Sequence, residues 1–191
     1  MKKFSGMTLI EMIIAIVLMG IAMVAFTSFL VPQIRDSAIP HYQTRAAALS
    51  QGFMSQVLAR GFDQNSDFDG GLVRCGEGKP ASPQATCTDS DNLGAEESDI
   101  SSFNDVDDYI GCWYTQNTKA SCNAAPKYQL SNVLGTSMEN DYNNFRVEVG
   151  VQYVTESGLA SNDIEAYKRI TMTIYAGQTQ PLTLSAIKGN Y

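Results

Sequence analysis

Residues 6–31 read GMTLIEMIIAIVLMGIAMVAFTSFLV, and the fold follows from them. A short basic leader, MKKFSG, stands before this stretch. From Met12 to Val31 there are twenty residues without a charge. As an α-helix they rise about 30 Å, the thickness of a bilayer's hydrocarbon core. Lys2 and Lys3 precede the stretch, so the positive-inside bias places the leader in the cytoplasm and the rest of the chain across the membrane. A cleaved secretory signal would have a shorter apolar run and a small-residue cleavage site, whereas this run ends in FLVPQIRD. A plain anchor leaves Glu11 unexplained. A carboxylate in a lipid-facing helix costs roughly 2–3 kcal/mol and is read first as functional.

A glycine followed by a hydrophobic residue and TLIE, after a basic leader, resembles the processing site of type IV pilins and type II secretion pseudopilins. The resemblance implies cleavage by a prepilin peptidase after Gly6, N-methylation of the new amino terminus at Met7, and an assembly role for Glu11. Met7 departs from the family's usual Phe. The physics of Glu11 agrees with that role. In a filament core the carboxylate would leave water, and a neighbouring subunit's amine about 4 Å away would contribute roughly 4 kcal/mol at an effective dielectric of 20. Unpaired, the charge would be costly there.

The chain has 191 residues, enough for an anchor and one domain. It carries 13 basic and 20 acidic side chains, a net charge of −7. Loss of the leader removes Lys2 and Lys3 and leaves −9. No basic cluster exists outside the leader, which argues against nucleic acid as a partner. The acid concentrates in residues 61–144, and so do the four cysteines, Cys75, Cys87, Cys112 and Cys122. None forms a CxxC pair, so zinc and thioredoxin-like readings are weak. Outside the cytoplasm disulfides are expected. Of the three pairings, Cys75–Cys87 and Cys112–Cys122 are favoured because each closes a short loop.

Five segments follow: a leader over 1–6, a membrane and assembly helix over 7–31, a kinked amphipathic helix over 32–60, an acidic loop-rich region over 61–144, and antiparallel strands over 145–191. Pro32 and Pro40 each remove a helical hydrogen bond, so a kink or loosened turn is expected between them. Beyond Pro40, Tyr42, Ala46, Leu49, Phe53 and Val57 recur at helical spacing, with Gln43, Arg45, Ser50 and Gln56 opposite. The helix should end near Arg60-Gly61. His41 has no second histidine or nearby cysteine and reads as a surface or interface residue.

Gly, Pro, Ser, Asn and Asp cluster through 61–144, with short strands expected within Tyr109–Tyr114 and in KYQLSNVL. Asp63, Asn65, Asp67 and Asp69 alternate in a tight turn, as oxygen ligands do in calcium loops, but Phe68 and Arg74 break the EF-hand pattern. A solvated acidic turn is the plainer reading. Asp105, Asp107 and Asp108 form a second such cluster. Calcium is the one cofactor considered. From residue 145 the period becomes two: Phe145, Val147, Val149, Val151 and Tyr153 on one face, then Ile170, Met172, Ile174 and Ala176, then Leu182, Leu184 and Ala186. The expected fold is α+β, a long N-terminal helix packed on a C-terminal antiparallel sheet with a disulfide-bearing loop-rich middle.

The same order of elements is similar to that of the pilin family. RDSAIPHYQTRAAAL, GGLVRCGE, DVDDYIGCW, YKRITMTI and LSAIKGNY further resemble the D-type minor pilins of mannose-sensitive haemagglutinin (MSHA) pilus systems. This implies a minor subunit, inserted in the inner membrane with its domain in the periplasm and then built into an extracellular filament for adhesion, motility or pilus biogenesis. Its partners would be other pilin subunits, prepilin peptidase, the inner-membrane assembly machinery, and membrane lipid before assembly. A type II secretion pseudopilin shares the helix, the cut site and the sheet, and only the looser resemblance of the later segments separates the two. A membrane-anchored calcium-dependent binding module is the alternative from another class. No nucleophile elbow, P-loop, dinucleotide fingerprint or HExxH helix is present, so no enzyme is expected.

Overall fold

The structure, a computed structural model, describes residue 6 and residues 8–66, 73–132 and 134–191, apart from the side chains of 35, 36 and 38. Met7, Asp67 and Asp69 therefore lie outside the described residues. The chain separates into two compact units, Met1–His41 and Tyr42–Tyr191.

From Leu9 onward the first unit is helix. Helix α1 spans Leu9–Leu58, with Pro32 and Pro40 both inside it. Neither proline ends the helix, although each lacks the N–H that would bond to the preceding turn. Every residue from Leu9 to Ile34 is exposed in the isolated chain. The few hydroxyls here are satisfied within the helix. Thr27 Oγ1 donates to the carbonyls of Met23 at 2.8 Å and Val24 at 3.1 Å, and Ser28 Oγ to that of Ala25 at 2.9 Å. Hydroxyls that bond back to their own helix remain compatible with an apolar surrounding.

The second unit places the end of α1 on a five-stranded sheet. Its strands are β1 (Gly111–Tyr114), β2 (Lys127–Gln129), β3 (Phe145–Val154), β4 (Tyr167–Ala176) and β5 (Leu182–Gly189). Their order across the sheet is β2-β1-β3-β4-β5. The expected helical stripe is the buried one. Ala46, Leu49, Phe53 and Val57 pack with Phe145, Val147, Val149, Ile170, Met172 and Ile174, the inward faces of β3 and β4. Tyr42 and Leu182, Leu184 and Ala186 of β5 border that core. An apolar stripe on a helix and an alternating sheet face are the two surfaces that must cover each other.

Three expectations need correction. The strands over 145–191, β3, β4 and β5, are antiparallel as expected, but the sheet extends beyond them and is mixed as a whole: β1 and β2 run parallel, with Cys112 opposite Lys127 and Tyr114 opposite Gln129. The connection from 115 to 126 includes the 3₁₀ turn Gln116–Ser121, and it is long enough to return the chain to the same end of the sheet. Gly111, at φ 136°, allows this pair, because a Cβ there would collide with the Pro126 carbonyl that accepts from Cys112 N–H. Second, Ser50 is buried rather than facing solvent, with its hydroxyl bonded to the Ala47 carbonyl. Arg45 is half-buried, its guanidinium over the rings of Tyr142 and Phe145. The contact stripe is thus wider than the apolar letters suggest. Third, α1 ends at Leu58, and Gly61 does not serve as a left-handed cap. Lys188 Nζ of β5 instead donates to the Leu58 carbonyl at 3.1 Å, placing a cation at the negative end of the helix.

Candidate functional site

Two places hold charge where apolar surroundings would be expected. One is the start of α1. Thr8 lies just before the helix, and its Oγ1 accepts from the Glu11 N–H at 3.4 Å, while its carbonyl accepts from Met12 N–H at 3.2 Å. Thr8 and Glu11 thus have the spacing of a capping box, a local signal that the family motif had obscured. The cap accounts for where the helix begins. It leaves the Glu11 carboxylate itself exposed on the isolated chain, one turn inside a run of uncharged residues. Gly6 is exposed ahead of it.

The other place is inside the second unit. Lys168 is fully buried. Its ammonium donates to the Phe62 carbonyl at 2.8 Å, Asp63 Oδ2 at 3.0 Å and Asp107 Oδ1 at 2.6 Å. The rings of Phe62 and Tyr153 lie 4.7 and 5.3 Å from it. Asp63 is fully engaged. Its Oδ1 accepts from Asn65 N–H and the Thr88 hydroxyl, and its Oδ2 from Thr88 N–H. Tyr153 Oη donates to the Thr88 carbonyl at 2.7 Å. Burial raises the Asp107 carboxyl above its ordinary range, and Lys168 opposes that rise. Burial, then the charges of Asp63 and Asp107, keep the Tyr153 phenol protonated well above its usual range.

This knot ties three parts of the chain together: the exit of α1, the acidic region and strand β4. Reasoning from sequence had not named Lys168. The signal was present, because Lys168 shares the parity of Ile170, Met172 and Ile174 and so points to the covered face of β4. A lysine on that face demands carboxylates. Asp63, whose plainer reading from sequence was a solvated acidic turn with calcium as the alternative, is one of them.

The acidic region is held by two disulfides, Cys75–Cys87 and Cys112–Cys122, the two short-loop pairs. It also contributes an aromatic cluster. Trp113 stacks with Tyr109, their ring centroids 5.7 Å apart, and meets Phe53 of α1 edge-on at 5.1 Å. Arg60 Nε donates to Tyr109 Oη at 3.1 Å. Gly61 pairs with Asp105, which aligns the chain leaving α1 with the loop that carries the acids.

Residues 1–27 match the family model described as the prokaryotic N-terminal methylation motif. No curated protein and no solved structure matches the chain. The matched span contains Gly6, Met7 and Glu11, the three positions singled out for processing and assembly.

Proposed function

We propose, from a motif match that supports a type IV pilin or pseudopilin, that this chain is a minor pilin of an MSHA-like pilus. It would enter the inner membrane as a prepilin, with residues 42–191 in the periplasm. Prepilin peptidase would cut after Gly6, and Met7 would be methylated. The subunit would then leave the bilayer for an extracellular filament, with other pilins as neighbours. Its role is structural: adhesion, motility or pilus biogenesis rather than catalysis.

The observation that carries this reading is Glu11, one turn into a helix that carries no other charge as far as Ile34 and whose residues from Leu9 to Ile34 have no cover in the isolated chain. Lipid covers such a surface before assembly, and the helices of sister subunits cover it afterwards. For the apolar side chains the two surroundings are similar, so extraction costs little. For Glu11 they differ. In the membrane it lies one turn from the headgroups. In a packed core it needs a cation, and the amine of a neighbouring Met7 would supply one, at roughly 4 kcal/mol for a 4 Å separation. That pairing sets axial register. The loose resemblance beyond residue 31 favours a pilus over a secretion pseudopilus.

Mass spectrometry of the native amino terminus tests the class. The expected terminus is N-methylated Met7, and retention of residues 1–6 overturns the reading. Shearing then tests the finer claim. The subunit is expected in sheared surface pili, and recovery only with a secretion apparatus favours the pseudopilin.

A further inference from the structure

The loop before β1 holds a second group of acids that make no ion pair with Lys168, whose partners are Asp63 and Asp107. Asp105 and Asp108 are both fully buried. One oxygen of each is satisfied by the main chain. Asp105 Oδ1 accepts from the N–H groups of Asp107 at 3.0 Å and Asp108 at 3.2 Å. Asp108 Oδ2 accepts from those of Asn104 at 2.7 Å and Asp105 at 3.1 Å. The second oxygen of each, Asp105 Oδ2 and Asp108 Oδ1, is buried and accepts nothing. Glu97 Oε2 and Asn104 Oδ1 are in the same condition. One oxygen each from Glu96, Asp105 and Asp108 lie within 4.8 Å of one another. Glu96 is exposed, so the group opens to solvent on its side.

Acceptors here face acceptors. A buried carboxylate oxygen without a donor loses its hydration for no return. Something positive has to stand between these groups, either shared protons or a cation. Burial first, then the charges of Asp107 and Asp108, push the Asp105 carboxyl up to about 9. Burial, with the same two charges adding to it, pushes Glu96 up to about 7. That is the strain a bound cation would relieve. The donor set is all oxygen, which selects a hard ion over zinc or copper. Carboxylates with an amide oxygen, offered by an irregular loop, suit calcium's six to eight ligands at about 2.4 Å better than magnesium's rigid octahedron. Two ligands across such an ion stand ~4.8 Å apart, so the three oxygens fit one shell.

We propose that Glu96, Asp105 and Asp108, with Asn104 and Glu97 beside them, form a calcium site that fastens this loop to the domain core. The inference does not depend on the chain being a filament subunit. The ion would fix residues 104–109, whose Tyr109 ring stacks on Trp113. Asp63, the ligand suggested by sequence, is excluded from the site because its oxygens already serve Lys168, Thr88 and Asn65.

The test uses the full-length protein in mild detergent, stripped with a chelator. Calcium alone and magnesium alone are titrated by calorimetry, and melting is followed by Trp113 fluorescence. One calcium per chain is expected to bind, and saturation a hundredfold above Kd is expected to raise Tm by roughly 5–10 °C. Glu96→Gln, at an exposed position, should weaken calcium binding at least about tenfold and leave the calcium-free Tm at or above that of the parent. Asp105→Asn should abolish the calcium-dependent shift. Absence of both heat and shift in the folded parent protein overturns the proposal. So does calcium binding that survives both substitutions, or magnesium binding of equal strength.

Discussion

Replacing Lys168 by Met should cost the second unit most of its stability. The ammonium is the partner of two carboxylates, Asp63 and Asp107, each fully buried with it. Without Lys168, Asp63 keeps its bonds from Thr88 and Asn65. Asp107 keeps only a 3.3 Å bond from Gly94 N–H to its side chain. Its neighbours are Asp105 and Asp108, so it will take up a proton rather than remain charged. Holding a carboxyl protonated at pH 7 costs about 4 kcal/mol, at ~1.4 kcal/mol for each pH unit above an ordinary value near 4. Removal of one partner from a buried pair costs ~3–5 kcal/mol in general, which agrees. The sign with pH follows. In the variant the folded-state pKa of Asp107 lies above its unfolded value, so stability is retained near pH 4 and lost as pH rises. Urea unfolding of the full-length protein in mild detergent, read by Trp113, the single tryptophan, measures it. With an m-value of about 2 kcal/mol per molar, the midpoint should fall by ~2 M at pH 7 and by much less at pH 4.5. Adding Asp107→Asn to the variant should restore most of the loss. An unchanged midpoint, or an equal loss at both pH values, would refute the reasoning.

Other substitutions probe the remaining links. Phe53→Ala removes the ring that meets Trp113 and Tyr109 edge-on; it should destabilise the domain by ~3–5 kcal/mol in the same urea assay, while Gln43→Ala on the exposed face changes nothing measurable. Replacing both Cys112 and Cys122 by Ser opens a loop of separation 10, and the chain-entropy model expects a loss of about 2.7 kcal/mol, seen as a lower Tm under otherwise identical conditions. Glu11→Ala should leave membrane insertion and domain melting unchanged but lower recovery in sheared filaments at least tenfold, which needs only ~1.4 kcal/mol of the pairing energy; normal incorporation would remove Glu11 from the assembly step.

The amino-terminal stretch of this protein, residues 6–31, is legible in one dimension. An uncharged run of twenty residues, the glutamate immediately before it and a glycine five residues earlier still are local facts, and membrane insertion and processing act on local sequence. The core was legible too, because helical and strand periodicities decide which of Leu49, Phe53, Val147 and Ile170 turn inward before any partner is known. Short loop closure also singled out the two disulfides. The acidic middle was not legible in this way. Its aspartates look alike in sequence, yet Asp63 and Asp107 pair with a lysine more than sixty residues away, while Asp105 and Asp108 each keep one buried carboxylate oxygen without a donor. The parallel run of β2 beside β1 likewise depends on where the chain returns. Charge and burial are properties of the neighbours a side chain finally meets. For surface-type residues carried into an interior, those neighbours are set only when distant segments close on one another.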